Sequence, residues 1–479
     1  MAVTVTDLFC GAGGSSRGAA MAGAEIVMAA NHWSTAIEVH QANHPDAAHD
    51  CADISQVDPR RYPRTDILLA SPECTNHSQA RGVSRKRQDP SLWDAPDPSA
   101  ERSRATMWDV PRFAEQMDYT AIVVENVVEA TKWVGWRAWC VAMDDLGYER
   151  RVLSHSSMHH GVPQSRDRIY VVLTKRGLRP DLELELQDWC AWCEAQRPCR
   201  QAWKNGRTVG RYRAQYVYGC TVCGREVVPS TEPAASIIDW SLPCPRVGDR
   251  VRPLAEKTRA RIAAGLARYG WAPITTAGAG NGWERTPGMR ARSLSEPVPT
   301  QTTTAQTALA TPPDALMVGL RGTSRGQVDG STYPVSDPVR TVSAGGHHHG
   351  LLMRNNTASG DPGRMVTPVS EPARTMTTAG HQSLLMPYYG QIVPHPTDRP
   401  IGTVTTRDRH ALIDVEAVVD DCGFRMLEPH EIEAAMAHPA APGTTDHLPK
   451  KDRVRLAGNA VTPPVQAWIT GRLIEAMGR

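Results

Sequence analysis

Cys74 stands in Ser71-Pro72-Glu73-Cys74, directly after the apolar run Asp66–Ala70 and before the polar Thr75-Asn76-His77-Ser78. A thiol at the carboxyl end of a strand faces the cleft where ligands of open α/β sheets bind. The basic cluster Arg85-Lys86-Arg87 follows closely, and a cationic field favours the thiolate, the reactive form. Nucleophilic chemistry is open to such a group; so is burial as a small hydrophobe. Glu125, in Glu125-Asn126-Val127, closes a second run, Ala121–Val124. Partial burial would raise its pKa and suit it to a pocket, although a capping or surface acid would have the same setting. Arg166 and Arg168, in Gln164-Ser165-Arg166-Asp167-Arg168, share one face of an extended segment. Two guanidiniums so placed can orient a base and a phosphate, or close a salt-bridged hairpin.

Two other constellations carry chemistry. Asp7-Leu8-Phe9-Cys10-Gly11-Ala12-Gly13-Gly14 joins a strand to a helix. Its glycines let backbone approach a ligand, and the helix start offers N–H groups to a carboxylate, but a tight turn without ligand would look alike. No Gly-Lys-Ser/Thr follows, so it is not a phosphate-binding P-loop. Cys190-Ala191-Trp192-Cys193 and Cys220-Thr221-Val222-Cys223 are two Cys-x-x-Cys knuckles with 26 residues between them. Four thiolates so arranged suit a structural, tetrahedral zinc ion, with Cys199 near enough to replace one ligand. The intervening Arg197, Arg200, Trp203, Lys204, Arg207, Arg211, Tyr212, Arg213 and Tyr216 suit contact with DNA. His347-His348-His349 reads as a solvated loop, because adjacent side chains point in different directions.

Positioning these groups requires a particular set of elements. Val3–Phe9, Ile26–Ala30, Asp66–Ala70, Ala121–Val124 and Arg168–Thr174 read as strands, with helices over Ser15–Ala22 and Ser34–Asn43. Such alternation predicts a mostly parallel sheet covered by helices, an α/β fold. Gln79–Arg104 reads as a long polar loop, either disordered or a functional lid. Beyond residue 180 the alternation stops. A helix is expected over Pro253–Tyr269, and helical spacing returns at Glu428–Ala437 and Pro464–Met477. Between 290 and 412 an acidic-Pro-x-x-Thr pattern recurs as Glu296-Pro297-Val298-Pro299-Thr300, Asp337-Pro338-Val339-Arg340-Thr341 and Glu371-Pro372-Ala373-Arg374-Thr375, with a weaker copy at Arg399-Pro400-Ile401-Gly402-Thr403. The intervals of 41, 34 and 28 residues drift, which suggests a β-rich module rather than a solenoid. Four regions follow: 1–178, 179–250 around the cysteines, 251–418 with the repeats, and 419–479.

The bulk properties bound these readings. At 479 residues the chain is long enough for two or three domains. A net charge of +2 gives no overall attraction to nucleic acid, so any such surface must come from local clustering. The eleven cysteines are odd in number and widely spread, which argues against a disulfide framework. No apolar run reaches a membrane span, and Met1–Phe9 lacks a basic leader, so a cytoplasmic protein is expected.

The ordered motifs resemble the DNA cytosine-5 methyltransferase family over about residues 1–175 and 420–479. Asp7–Gly14, Pro72-Glu73-Cys74, Glu125-Asn126-Val127, Gly161–Arg168, Arg425-Met426-Leu427 with Glu431, and Gly458-Asn459-Ala460-Val461-Thr462-Pro463-Pro464 follow one another in the family's order. The resemblance implies a Rossmann-like methyltransferase domain with a mostly parallel seven-stranded sheet, joined to a β-rich, zinc-containing target-recognition domain. It implies S-adenosylmethionine as cofactor, held by Phe9, Gly11, Gly13, Gly14, His32, Asp53, Asn459 and Val461, with Asp53 on the adenine amine. It further implies that Cys74 attacks cytosine carbon 6, that Glu125 contacts ring nitrogen 3 and the exocyclic amine, that Arg166 holds the base carbonyl and that Arg168 supports the loop. The chain departs from the family at Glu73, where a second proline is usual, and at Asn31-His32, where an acid usually meets the ribose. The expected partner is double-stranded DNA met by a monomer, with room for a companion restriction enzyme. A transfer-RNA methyltransferase and an inactive zinc-containing DNA-binding protein are the alternatives; the long region 176–420 favours DNA.

Overall fold

The computed structural model describes residues 2–72, 98–269, 273–277, 288–304, 306–312, 416–438 and 443–479, together with short strands between 316 and 411. Cys74, Glu73, the Arg85-Lys86-Arg87 cluster, the later repeat copies and the His347-His348 pair lie outside these residues. The described residues form two units, one from Met1–Ile238, Ser295–Ala305 and Glu428–Arg479, the other from Asp239–Leu294 and Gln306–Leu427.

The first unit is built on a seven-stranded sheet. Its strands are β1 (Thr4–Leu8), β2 (Glu25–Asn31), β3 (Ala48–Cys51), β4 (Ile67–Ala70), β5 (Ala121–Asn126), β6 (Tyr148–Ser156) and β8 (Asp167–Lys175), after the two-residue β7 (Gln164–Ser165). Their order is β3-β2-β1-β4-β5-β8-β6. The first five are parallel, and β8 runs antiparallel to both β5 and β6. Strands such as Ile67–Ala70 are buried along their whole length, as central strands covered on both faces must be. The expected α/β fold with its mostly parallel seven-stranded sheet is therefore present.

Helices cover both faces. α1 (Gly14–Met21) and α2 (Ser34–Asn43) follow the first two strands; α3 (Pro98–Met117) and α4 (Trp136–Asp145) flank β5. α3 takes up the end of the segment expected to be a loop and runs through Pro111. Leu68, Val110, Phe113, Ile122, Trp139 and Val171 fill one core layer, and Val5, Leu69, Val123, Tyr170 and Ile469 the other. The chain returns to this second layer at its end. After the strand Gly423–Met426 come the helices Pro429–Ala435, Lys450–Asn459 and Pro463–Ala476. The last of these packs on α1 at Gly18, where an added Cβ would stand 2.5 Å from the Pro463 carbonyl oxygen.

The cysteine-rich segment folds as a four-stranded antiparallel sheet, β9 (Leu186–Cys190), β10 (Ala195–Trp203), β11 (Tyr216–Cys220) and β12 (Glu226–Val227), within the first unit. The first repeat copy also lies there: Val298–Pro299 pairs in parallel with Gln164–Ser165, and the Thr300 hydroxyl donates to the Ser165 carbonyl. In the second unit the helix Glu256–Tyr269 packs on an antiparallel sheet made of Ile274–Ala277, Arg292–Ser293, Thr307–Thr311 and Gly423–Met426. Ile262, Leu266, Ile274 and Phe424 form its core. Among the described residues no helix is long and apolar enough to cross a membrane.

Candidate active site and metal centre

The motif residues of the first unit converge on one edge of the sheet. Parallel strands β1, β2, β4 and β5 end there, and antiparallel β8 begins there. Strand order reverses between β1 and β4, and ligands of open α/β sheets bind at such a point.

The glycine loop leaves β1 through left-handed backbone at Phe9 (φ 59°), Gly11 (φ 54°) and Gly13 (φ 92°). A side chain at Gly11 would meet nothing within 4 Å, so this face of the loop is open. Gly13 has no side chain to cap α1, and of the helix-start N–H groups that of Ser16 serves Asp7. At Gly14 an added Cβ would lie 2.1 Å from the Val461 oxygen, so the loop after Lys450–Asn459 closes directly on the start of α1. Asn459 is exposed and Val461 buried. His32 is exposed at the end of β2, whereas the Asn31 carboxamide oxygen accepts from the Trp33 amide. Asp53 is exposed, and one carboxylate oxygen accepts from the Ser55 amide. The sequence-derived cofactor residues therefore lie around the ends of β1–β3 and the 459–461 loop. Their open backbone, helix start and exposed polar tips fit a ligand carrying a carboxylate and ring amines.

Beneath the loop lies a buried polar chain that motif reading missed. Asp7 accepts from the Ser15 and Ser16 hydroxyls at 2.5 and 2.6 Å. The Ser16 oxygen lies 2.9 Å from His40 Nε2, and His40 Nδ1 lies 2.8 Å from His49 Nε2. Burial raises the Asp7 pKa to about 6, and burial with three neighbouring histidines lowers that of His40 to about 2. The signal was an acid inside a strand followed, one turn into the next helix, by two serines.

On the other half of the edge, Glu125 pairs with Arg168 through Oε1 and Nε at 3.0 Å, both side chains being about seven-eighths buried. Arg168 also donates from Nη1 to the Asp167 carbonyl. Asn126 donates from Nδ2 to the Pro72 carbonyl at 3.3 Å and accepts from the Val127 amide at 2.8 Å. It thus fixes the chain two residues before Cys74. Arg166 is 4% exposed. It donates to the carbonyls of Gln301, Gly458 and Ala460 at 3.1–3.3 Å. Arg166 is thereby buried against backbone carbonyls, and Arg168 is the arginine paired with Glu125. Residue spacing alone could not separate the two, because which of them is buried depends on a loop almost 300 residues away.

Cys190, Cys193, Cys220 and Cys223 bring their sulfurs within 4.8 Å of one another. Sulfurs of Cys190 and Cys223 are 3.6 Å apart, those of Cys193 and Cys220 3.9 Å. Tetrahedral zinc with bonds of about 2.3 Å would set sulfurs about 3.8 Å apart. A disulfide would need about 2 Å. N–H groups of Cys223 and Val222 draw the Cys220 thiol down to about 7, toward the thiolate a metal takes. The four residues fit a zinc ion. Cys199 does not join them: its sulfur donates to the Leu186 carbonyl.

Residues 3–205 match the model of the C-5 cytosine-specific DNA methylase family. Among curated proteins the chain is 29% identical to the type II methyltransferase M.AgeI of Thalassovita gelatinovora over 36% of this chain and 40% of that protein. It is also 29% identical to the type II methyltransferase M.HhaI of Haemophilus parahaemolyticus over 36% of this chain and 49% of that protein. The chain thus spans about half, or less, of the curated relatives it matches here. A crystal structure of a Spodoptera frugiperda DNMT2 mutant aligns with a TM-score of 0.50 at 13% identity, covering 99% of this chain and 100% of that one. That likeness speaks to the fold alone.

Proposed function

We propose, on the premise that residues 3–205 belong to the C-5 cytosine-specific DNA methylase family, that this protein methylates carbon 5 of cytosine in double-stranded DNA. One observation carries the reading. Asn126 holds the Pro72 carbonyl, two residues before Cys74, while its neighbour Glu125 is paired with Arg168. An acid and a guanidinium are thereby gathered at the sheet edge where the chain leads from Pro72 toward Cys74 in sequence, and this supports attack on a pyrimidine by that thiol.

Carbon 5 of cytosine is a poor nucleophile. In the proposed reaction the Cys74 thiolate adds to carbon 6, forming an S–C6 bond and making carbon 5 enamine-like. Glu125 bonds ring nitrogen 3 and the exocyclic amine, offsetting the charge that develops there. Arg168 fixes the Glu125 carboxyl. Arg166 anchors the 458–460 loop. S-Adenosylmethionine, held by Phe9, Gly11, Gly13, Gly14, His32, Asp53, Asn459 and Val461, would when bound supply a sulfonium-activated methyl group to carbon 5, the S–CH3 bond breaking to leave neutral S-adenosylhomocysteine. Loss of the carbon 5 proton to a base then breaks the S–C6 bond and returns the thiolate. The target base must leave the helix to reach the site, at a cost of a few kcal/mol.

We assign residues 1–178 and 419–479 to catalysis, 179–250 to an insertion stapled by structural zinc, and 251–418 to target recognition. The printed names of the curated relatives favour DNA as substrate, as does membership of a DNA methylase family. The protein is expected to be a cytosolic monomer, in a setting where a restriction enzyme could accompany it. The test is transfer of a labelled methyl group to unmethylated duplex DNA and, separately, to transfer RNA. We expect 5-methylcytosine in the duplex. Label in RNA alone, or in neither, would overturn the proposal.

A further inference from the structure

The loop between β10 and β11 leaves the cysteine module and reaches the sheet edge. Arg211 donates from Nη2 to Glu129 Oε1 at 2.7 Å. The next residue, Tyr212, donates its amide to Asp167 Oδ1 at 3.2 Å. Glu129 lies four residues after Glu125, and Asp167 directly precedes Arg168. These two acids therefore flank the ends of β5 and β8 that carry the Glu125–Arg168 pair. Burial raises the Asp167 pKa, the Tyr212 amide and the charges of Arg211 and Arg168 lower it, and the Glu129 charge raises it again, so Arg211 acts on both acids, bonding Glu129 directly and Asp167 through its field. The loop is itself fixed. Gln201 donates to the Ser154 carbonyl at 2.7 Å, the Gly210 amide donates to the Ser154 hydroxyl at 3.1 Å, and Arg211 N donates to Gln215 Oε1 at 2.8 Å.

We propose that Arg211 is a positioning residue for the methyl transfer, a bridge from the cysteine module that holds the Glu125–Arg168 pair in register by tying Glu129 to the Asp167 turn. The inference rests on the proposed reaction, since it gives that pair a task. Without Arg211, Glu129 loses its hydrogen-bonded partner and only Arg168 remains to offset the charges of Glu129 and Asp167, so the backbone that carries Glu125 and Arg168 is held less firmly. Misplacement of about 1 Å can cost about a hundredfold in rate.

The test compares Arg211→Ala, Arg211→Lys, Glu129→Gln and the double variant Arg211→Ala/Glu129→Gln in the full chain. We expect Arg211→Ala to lower kcat about ten- to a hundredfold with KM for the methyl donor little changed. Lysine at 211 should recover part of the loss, and the double variant should lose less than the product of the single losses. Amides 126–132 and 166–168 should exchange hydrogen faster in Arg211→Ala while the melting temperature stays close to wild type. Wild-type kcat and unchanged exchange in Arg211→Ala would overturn the proposal, as would a loss matched by a general fall in melting temperature. A wild-type protein that transfers no methyl group refutes the proposed function instead, and the exchange measurement still decides the bridge.

Discussion

At the scale of single residues, two arginines two positions apart have different tasks. Arg166 is buried among the carbonyls of Gln301, Gly458 and Ala460, whereas Arg168 holds Glu125. A lysine at 166 keeps the charge but loses the planar fork. Arg166→Lys should therefore leave carbonyls short of a donor, destabilise the protein by about 1–3 kcal/mol and weaken methyl-donor binding through the 459–461 loop. Calorimetric titration with S-adenosylmethionine checks this; unchanged affinity with a collapsed kcat would return Arg166 to the base. Asn126→Ala should lower kcat and cost a similar amount, because its buried carboxamide serves the Pro72 carbonyl and the Val127 amide. Denaturant melts and single-turnover rates read both effects. The sequence made Glu125, the arginine pair and the four cysteines legible, because each is a type-and-spacing signal. It could not disclose partners supplied by distant loops, nor the backbone bond from Asn126 to Pro72.

At the scale of elements, the strands that sequence reveals best are the buried ones. Ile67–Ala70 and the Ala121–Val124 part of Ala121–Asn126 are apolar runs, and Ser34–Asn43 has helical bounds matching the expectation. Tyr148–Ser156 was silent because Glu149, Arg150 and Arg151 interrupt its apolar pattern; Arg150 is in fact tied to the Cys140 carbonyl and to Asp144. Lys450–Asn459 is half charged, and among side chains Val454, Leu456 and Ala457 anchor it, too few for a clear stripe. Pro98–Met117 was obscured by Pro111, which normally ends a helix. Packing of α1 on the last helix depends on Gly18, so Gly18→Ala should cost about 1–3 kcal/mol by overpacking against the Pro463 backbone. A chemical denaturation curve checks it, and wild-type stability would contradict the close approach. Likewise, Cys220→Ala should abolish the equivalent of zinc bound to the β9–β12 sheet; metal analysis of the purified variant reads this directly, and undiminished zinc would remove the metal assignment.

At the scale of the whole molecule, buried histidines set the pH response. Burial lowers His40 to about 2, His159 to about 3, and His160 and His438 to about 4, and drives His155 well below its ordinary value. Each folded-state value lies below the unfolded one, near 6.5, so the unfolded chain binds more protons once pH falls below that value. Stability is then fully present above about 6.5 and declines as pH falls from there through the folded-state values of about 4 to about 2. Asp7, raised to about 6 from 3.8, and Asp167, also raised by burial, act with the opposite sign, but they stand against seven histidines once His44 and His49, lowered too, are included. Melting temperature should fall from pH 7 to pH 5; a flat profile would contradict these burials. The division into two units, with the sheet and the cysteine module in the first, was only partly visible in the sequence, since the first repeat copy belongs to the first unit, where Val298–Pro299 docks on Gln164–Ser165.

The most direct measurement of the central claim is covalent trapping. Full-length protein is incubated with duplex DNA carrying 5-fluorocytosine and with S-adenosylmethionine, then denatured and mapped by mass spectrometry. The account predicts a stable protein–DNA adduct through the sulfur of Cys74, absent from Cys74→Ser. An adduct at another residue, or none although the wild-type protein methylates ordinary cytosine, would contradict it.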